Sequence, residues 1–183
     1  GRVYECHDEA LDRSVAIRIL SPDADAGLAV VDRFTREARV LARLNHPNVV
    51  SIYSLGRVAG TPFLVMEHVD GESVLSLLLR RGRLGAREAL LIARGAAHGL
   101  DAASRQQIVH RDVKPSSLLL ARDGRVKVAD FGLARPVKVR RSATSEGVAV
   151  GSSDYLSPEQ ARGLTVDARS DIYSLGVTLF HML

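Results

Sequence analysis

HRDVKPSSLLL, residues 110–120, decides how the rest of this chain is read. It sets a carboxylate, Asp112, two residues from an ammonium, Lys114, beside a proline, and then runs into strand-type leucines. Lysine is the scarcer cation here. Twenty-two arginines stand against three lysines, Lys114, Lys127 and Lys138, so a retained lysine points to a specific task. Two further clusters follow: DFG at 130–132, eighteen residues on (112 to 130), and SPE at 157–159, a further twenty-nine (130 to 159). Upstream lie VAIR at 15–18 and a helix-patterned segment whose Glu37 is nineteen residues after Arg18. Each string alone is common, but the set in this order and at these separations is specific.

The pattern around these clusters predicts the organisation. GRVYEC and SVAIRIL read as strands around the turn-prone HDEALDR, and VVDRFTREARVLARL places Val31, Phe34, Ala38, Leu41 and Leu44 at helical spacing. Pro47 ends that helix, because the residue before a proline avoids helical geometry. NVVSIYSLGR and TPFLVMEHV read as a hairpin around Gly60, so the N-terminal third is β-β-α-β-β. After Asp70-Gly71 the character turns helical, in ESVLSLLLRRG and AREALLIARGAAHGLDAASRQ. Two short strands flank Asp123-Gly124, a Ser/Thr-rich basic loop follows, and SPEQARG and DIYSLGVTLFHML are helical. One β-rich unit over 1–69 and one helical unit over 70–183, joined near 67–71, are expected.

The bulk numbers remove other classes. At 183 residues, 46% hydrophobic and 25% charged, the chain can bury a core and is not expected to be disordered. The net charge of +4 does not indicate nucleic-acid binding, because the basic residues are scattered and only four Tyr and four Phe accompany them. No apolar run approaches the roughly 20 residues of a membrane helix. The one cysteine, Cys6, rules out an internal disulfide and agrees with a reducing compartment. A cytoplasmic setting is the default, with the cytoplasmic part of a larger tethered protein left open. The first residue is Gly and the last segment stops inside a helical pattern, so a fragment truncated at both ends is expected. The six histidines have no metal-ligand spacing.

Together these segments resemble the protein kinase superfamily, in particular bacterial-type serine/threonine kinases, from GRVY through DIYSLG. The resemblance implies an α+β, bilobal fold: a small β-rich N-lobe, a larger helical C-lobe and a crevice between them for ATP, Mg²⁺ and a Ser/Thr-bearing protein substrate. Phosphoryl transfer explains why these residue types recur, since charge on the moving group is handled by positioning and countercharge. By resemblance Asp112 is the base for the substrate hydroxyl, Lys114 lies against the transferring phosphate, and Asp130 holds Mg²⁺. His110 and Phe131 are expected to pack rather than react.

Three positions depart from the family pattern. The family has lysine where Arg18 stands, touching the α- and β-phosphates and pairing with the acid of the next helix, here Glu37. Arginine is bulkier, with donors in fixed directions, so it is expected to crowd the phosphates. Loss of one preorganised transition-state contact elsewhere costs about 10²–10³ in rate, and a loss at least that large is expected here. The other reading of Arg18 is a strand-edge arginine reaching to water. Ser117 stands where the family has the asparagine ligand of a second metal, and is expected to coordinate Mg²⁺ weakly. Of the glycine loop only Gly1 is present.

The remaining carry-overs concern adenine and regulation. Val3 and Ala16 above and Leu119 below would sandwich the base, with Met66 at its back and the Glu67 and Val69 backbones at its edge. Glu72 reads equally as a ribose contact or a helix-start acid. Arg111 would pair with a phosphorylated loop residue, Thr144 first and Ser142 or Ser145 as alternatives. Glu159 would pair with an arginine beyond this chain, and Asp171 would bond the backbone of the HRD turn. Two functions stay open: an ATP-dependent protein serine/threonine kinase, or a pseudokinase that binds nucleotide or partners with weak or no transfer because of Arg18 and Ser117.

Overall fold

A computed structural model describes residues 2–20, 28–131 and 153–183, without the side chains of 28–30 and 33. Gly1, Ser142, Thr144 and Ser145 lie outside the described residues.

The N-terminal third follows the alternation of its apolar residues. Strands β1 (Arg2–Asp8), β2 (Arg13–Ile19), β3 (Ile52–Val58) and β4 (Thr61–Glu67) form an antiparallel sheet in the order β1-β2-β4-β3. The β3–β4 turn has Ala59 at φ 48° and Gly60 at φ 80°, the paired positive angles of a two-residue hairpin loop. Helix α1 (Leu28–Leu41) crosses between β2 and β3 and turns Phe34, Ala38 and Leu41 inward. Phe34 is wholly buried, which stabilises the fold by about 1.5–3 kcal/mol relative to leaving it exposed.

A second small sheet starts the helical part. The sequence pattern predicts helix from Glu72, but Gly71–Ser73 form strand β5, which pairs with β6 (Leu118–Ala121), itself paired with β7 (Val126–Val128). The pairing prevails because a helix cannot begin before its cap: the Ser73 hydroxyl accepts from Ser76 N at 3.0 Å and starts α2 (Val74–Arg81). Helix α3 (Ala86–Arg105) packs on β7 and on α5 (Ala168–Met182), and short α4 (Pro158–Ala161) begins at Ser157 in a reciprocal cap with Gln160.

The segment after α1 belongs to both halves. Residues 46–50 leave the upper sheet and run along β7, with Asn48 Nδ2 donating to the Val126 carbonyl at 2.7 Å and Val128 N to the Asn48 carbonyl at 2.8 Å. Val50 N returns a bond to the Val128 carbonyl at 3.0 Å. This approach needs Gly99 on α3, where a Cβ would sit 2.5 Å from the Asn48 carbonyl oxygen.

Candidate active site

The loop carrying Asp112 is held from beneath by Asp171, at the start of α5. Its two carboxylate oxygens accept from His110 N at 2.7 Å and Arg111 N at 2.8 Å. Burial raises the Asp171 pKa above the usual carboxylate value. Arg111 needs this clamp, because its φ of 66° is unfavourable for a long side chain. The expected contact of Asp171 with the HRD backbone is therefore present.

His110 connects that loop to the segment after β7 that bears Asp130. It is fully buried; its Nδ1 accepts from Asp112 N at 3.1 Å and its Nε2 lies 2.8 Å from the Ala129 carbonyl. These partners require a neutral ring with the proton on Nε2, and burial lowers its pKa in agreement. Its ring packs on Phe131 with centroids 4.5 Å apart, so both residues do pack. The two acids expected to do chemistry thus sit on segments locked through one histidine.

On that support Lys114 Nζ lies 2.7 Å from Asp112 Oδ2, with side chains 23% and 18% exposed. A partly buried ammonium beside a carboxylate is an arrangement able to hold a proton acceptor and a phosphate counter-ion together. Asp130, at φ 61°, accepts from the Arg18 guanidinium, which comes down from β2. The sequence pairs Arg18 with Glu37; the bond from Arg18 to Asp130 was not anticipated. Backbone register sets Arg18 between Val3 and Leu64, so it projects from the middle of the sheet and is no strand-edge arginine reaching to water. Glu37, Leu41, Arg36, Arg111 and Phe131 line one cavity of about 270 Å³, which places Glu37 next to the DFG segment.

Ser117 differs from expectation. Its hydroxyl donates to the Lys114 carbonyl at 2.9 Å and accepts from Lys114 N at 3.0 Å, closing the single 3₁₀ turn Pro115–Ser117. It is 1% exposed. A side chain shorter than asparagine is here engaged by its own loop backbone on both its donor and its acceptor side.

Around the expected adenine slot, Ala16, Val69 and Leu119 are half-buried, Met66 is buried and Val3 is exposed. Ala16 pairs with Met66 across the sheet, which sets the expected base roof and back wall side by side. Glu67 carries a feature the sequence reading missed: Lys127 Nζ lies 2.8 Å from its carboxylate and 3.4 Å from the Val49 carbonyl, and Ser51 N donates to the same carboxylate at 3.2 Å. Lysine scarcity was the signal that could have found Lys127. Glu72 lies on β5, just before the Ser73 cap of α2, and is ion-paired with Arg80. Glu159 accepts from the Ser170 hydroxyl, a bond that lowers its pKa, and Gln160 Nε2 donates to the Arg111 carbonyl at 2.8 Å, tying the SPE segment to the HRD loop.

Among the described residues no helix is long and apolar enough to cross a membrane. The family model for the protein kinase domain matches residues 1–183. Serine/threonine-protein kinase PknL of Mycobacterium tuberculosis is 43% identical over 181 residues, covering 99% of this chain and 45% of that protein. Serine/threonine-protein kinase PrkC of Bacillus subtilis is 42% identical over 183 residues, covering 28% of its length. The chain thus spans less than half the length of these relatives. The crystal structure of the Mycobacterium tuberculosis PknI kinase domain matches with a TM-score of 0.80 at 32% identity, over 98% of this chain and 67% of that one. The shared sheet-and-helix architecture, the HRD, DFG and SPE strings in that order along the sequence and a match along its whole length show that this chain belongs to the protein kinase family, among the bacterial serine/threonine kinases.

Proposed function

We propose that the chain transfers the γ-phosphoryl group of ATP to a serine or threonine hydroxyl of a protein substrate, in a cytoplasmic setting, as one catalytic domain with lobes 1–69 and 70–183. The observation that carries this reading is the Asp112–Lys114 pair at 2.7 Å on a loop fastened by His110 to the Asp130 segment after β7. Asp112 accepts the substrate proton while Lys114 neutralises charge on the moving phosphoryl. Val3, Ala16 and Leu119 enclose adenine, with the Glu67 and Val69 backbones at its edge, and Gly1 belongs to the phosphate loop. Arg18 faces the α- and β-phosphates and Glu37 orients it. Asp130 fits one Mg²⁺, since a hard cation takes carboxylate oxygen, whereas the inward-bonded hydroxyl of Ser117 does not fit a second. A bound ion supplies countercharge to the phosphate oxygens. Phosphate on Thr144, Ser142 or Ser145 would pair with Arg111 and order the loop.

Two observations favour a second reading, a pseudokinase that binds nucleotide with little transfer: Arg18 bonded to Asp130, and Ser117 turned inward. Phosphate incorporation from labelled ATP with Mg²⁺ separates them. Transfer by the parent that Asp112→Asn abolishes establishes the kinase. No transfer by the parent, Arg18→Lys, Ser117→Asn or the double variant, with nucleotide still raising the melting temperature, establishes the pseudokinase.

A further inference from the structure

Of the two groups that would hold divalent ions in this crevice, one is engaged by its own loop and the other shares an oxygen with a cation of the chain. The Ser117 hydroxyl has its proton on the Lys114 carbonyl and a lone pair on Lys114 N, at 1% exposure. Asp130 has an oxygen on the Arg18 guanidinium. The Arg18 side chain is 15% exposed and that of Asp130 39%, so the cation is seated deep and the carboxylate opens toward the crevice.

A guanidinium differs from an ammonium in the way this position requires. It has five N–H donors in a fixed plane, stays charged, and can bond a carboxylate and phosphate oxygens at the same time. It is also less strongly hydrated, so seating it against a carboxylate in a partly closed site costs less than seating an ammonium. A bridging divalent ion ordinarily neutralises a polyphosphate and links it to an acid of the site. Arg18, bonded to Asp130, has further N–H donors with which to link that acid to a polyphosphate through a covalently attached charge, one unit where the ion brings two.

We propose that this crevice takes up a nucleoside triphosphate without a divalent cation, Arg18 serving as the fixed cation between Asp130 and the phosphates. The inference rests on the nucleotide-binding reading above and adds that binding and transfer have separate ion requirements. Uptake needs none. Transfer needs Mg²⁺, which has to share Asp130 with Arg18 or displace it.

Calorimetric titration of the full chain with a non-hydrolysable ATP analogue, in EDTA and again in Mg²⁺, tests this. The parent Kd is expected to change by less than about fivefold between the two buffers. The Arg18→Lys, Ser117→Asn double variant is expected to bind at least about tenfold more tightly with Mg²⁺ than without. Arg18→Ala, checked for a native melting transition, is expected to weaken binding in EDTA by at least about tenfold; if it does not fold, Arg18→Lys in EDTA replaces it and is expected to weaken binding too. Tightening of the parent by fivefold or more with Mg²⁺, or undiminished EDTA binding by the position-18 variant, overturns the inference while leaving nucleotide binding intact. Absence of binding in both buffers refutes the nucleotide reading itself, and this inference with it.

Discussion

Lys127→Met removes the cation from a buried ion pair between β7 and the end of β4. The lysine side chain is 6% exposed and Glu67 is 21% exposed, at 2.8 Å separation. Breaking a buried pair by deleting one partner costs about 3–5 kcal/mol, because the remaining charge is left without its counterpart. Glu67 keeps the Ser51 N–H at 3.2 Å and some contact with water, which favours the lower end, about 3 kcal/mol. At about 2–4 °C per kcal/mol for a domain of this size, the melting temperature should fall by about 6–12 °C. The assay is urea unfolding of the parent, Lys127→Met, Glu67→Gln and the double variant, with the coupling energy taken from the cycle. Lys127→Arg should recover part of the loss. A coupling energy below about 0.5 kcal/mol would show that the two charges are screened independently and that the structural argument is wrong.

Asp171→Ala leaves His110 N and Arg111 N without acceptors, and should lower stability by about 2–5 kcal/mol in denaturant titration. Gly99→Ala drives a Cβ against the Asn48 carbonyl, and a loss of about 1–3 kcal/mol is expected by the same measurement. The buried neutral His110 sets a pH dependence of known sign. Its pKa is lowered in the folded state, so below about 6.5 the unfolded chain binds the extra proton and stability falls with acid, by up to about 1.4 kcal/mol per pH unit. This contribution is complete above pH 6.5 and is lost as pH drops through the folded value. Unfolding free energies at pH 7.5 and 5.5 should therefore diverge more for the parent than for His110→Gln, and equal slopes would exclude the histidine as the cause. Asp171, raised by burial, acts in the opposite sense, contributing stability at low pH that fades as pH climbs through its folded value.

What could be read in the sequence was what depends on local period and order. The inward face of α1 and the hairpin at Gly60 follow from spacing and turn chemistry, and the HRD, DFG and SPE strings locate the crevice by their separations. The contacts that qualify the chemistry cross the fold. Arg18 and Asp130 are 112 residues apart, and Lys127 and Glu67 are 60 apart, so no window of sequence contains either pair. The local bonding of Ser117 was hidden for a different reason. Its partner is only three residues away, but whether a hydroxyl turns to its own backbone or into the crevice depends on the loop geometry, which side-chain identity does not fix. The missed strand β5 is a similar case, since three residues carry no period and take their conformation from β6.

Residues 46–50 have a mechanical consequence. They lie in sequence between two elements of the upper sheet, but they are bonded to β7 and seated against the glycine face of α3. When the crevice widens or narrows, this short strap must travel with the helical half, so the chain has to flex on both sides of it as well as at the single crossing near residue 70. Any swing of the upper half would then turn about points on both sides of Asn48 as well as near residue 70, and a disturbance at Asn48 would alter how far the cleft can open.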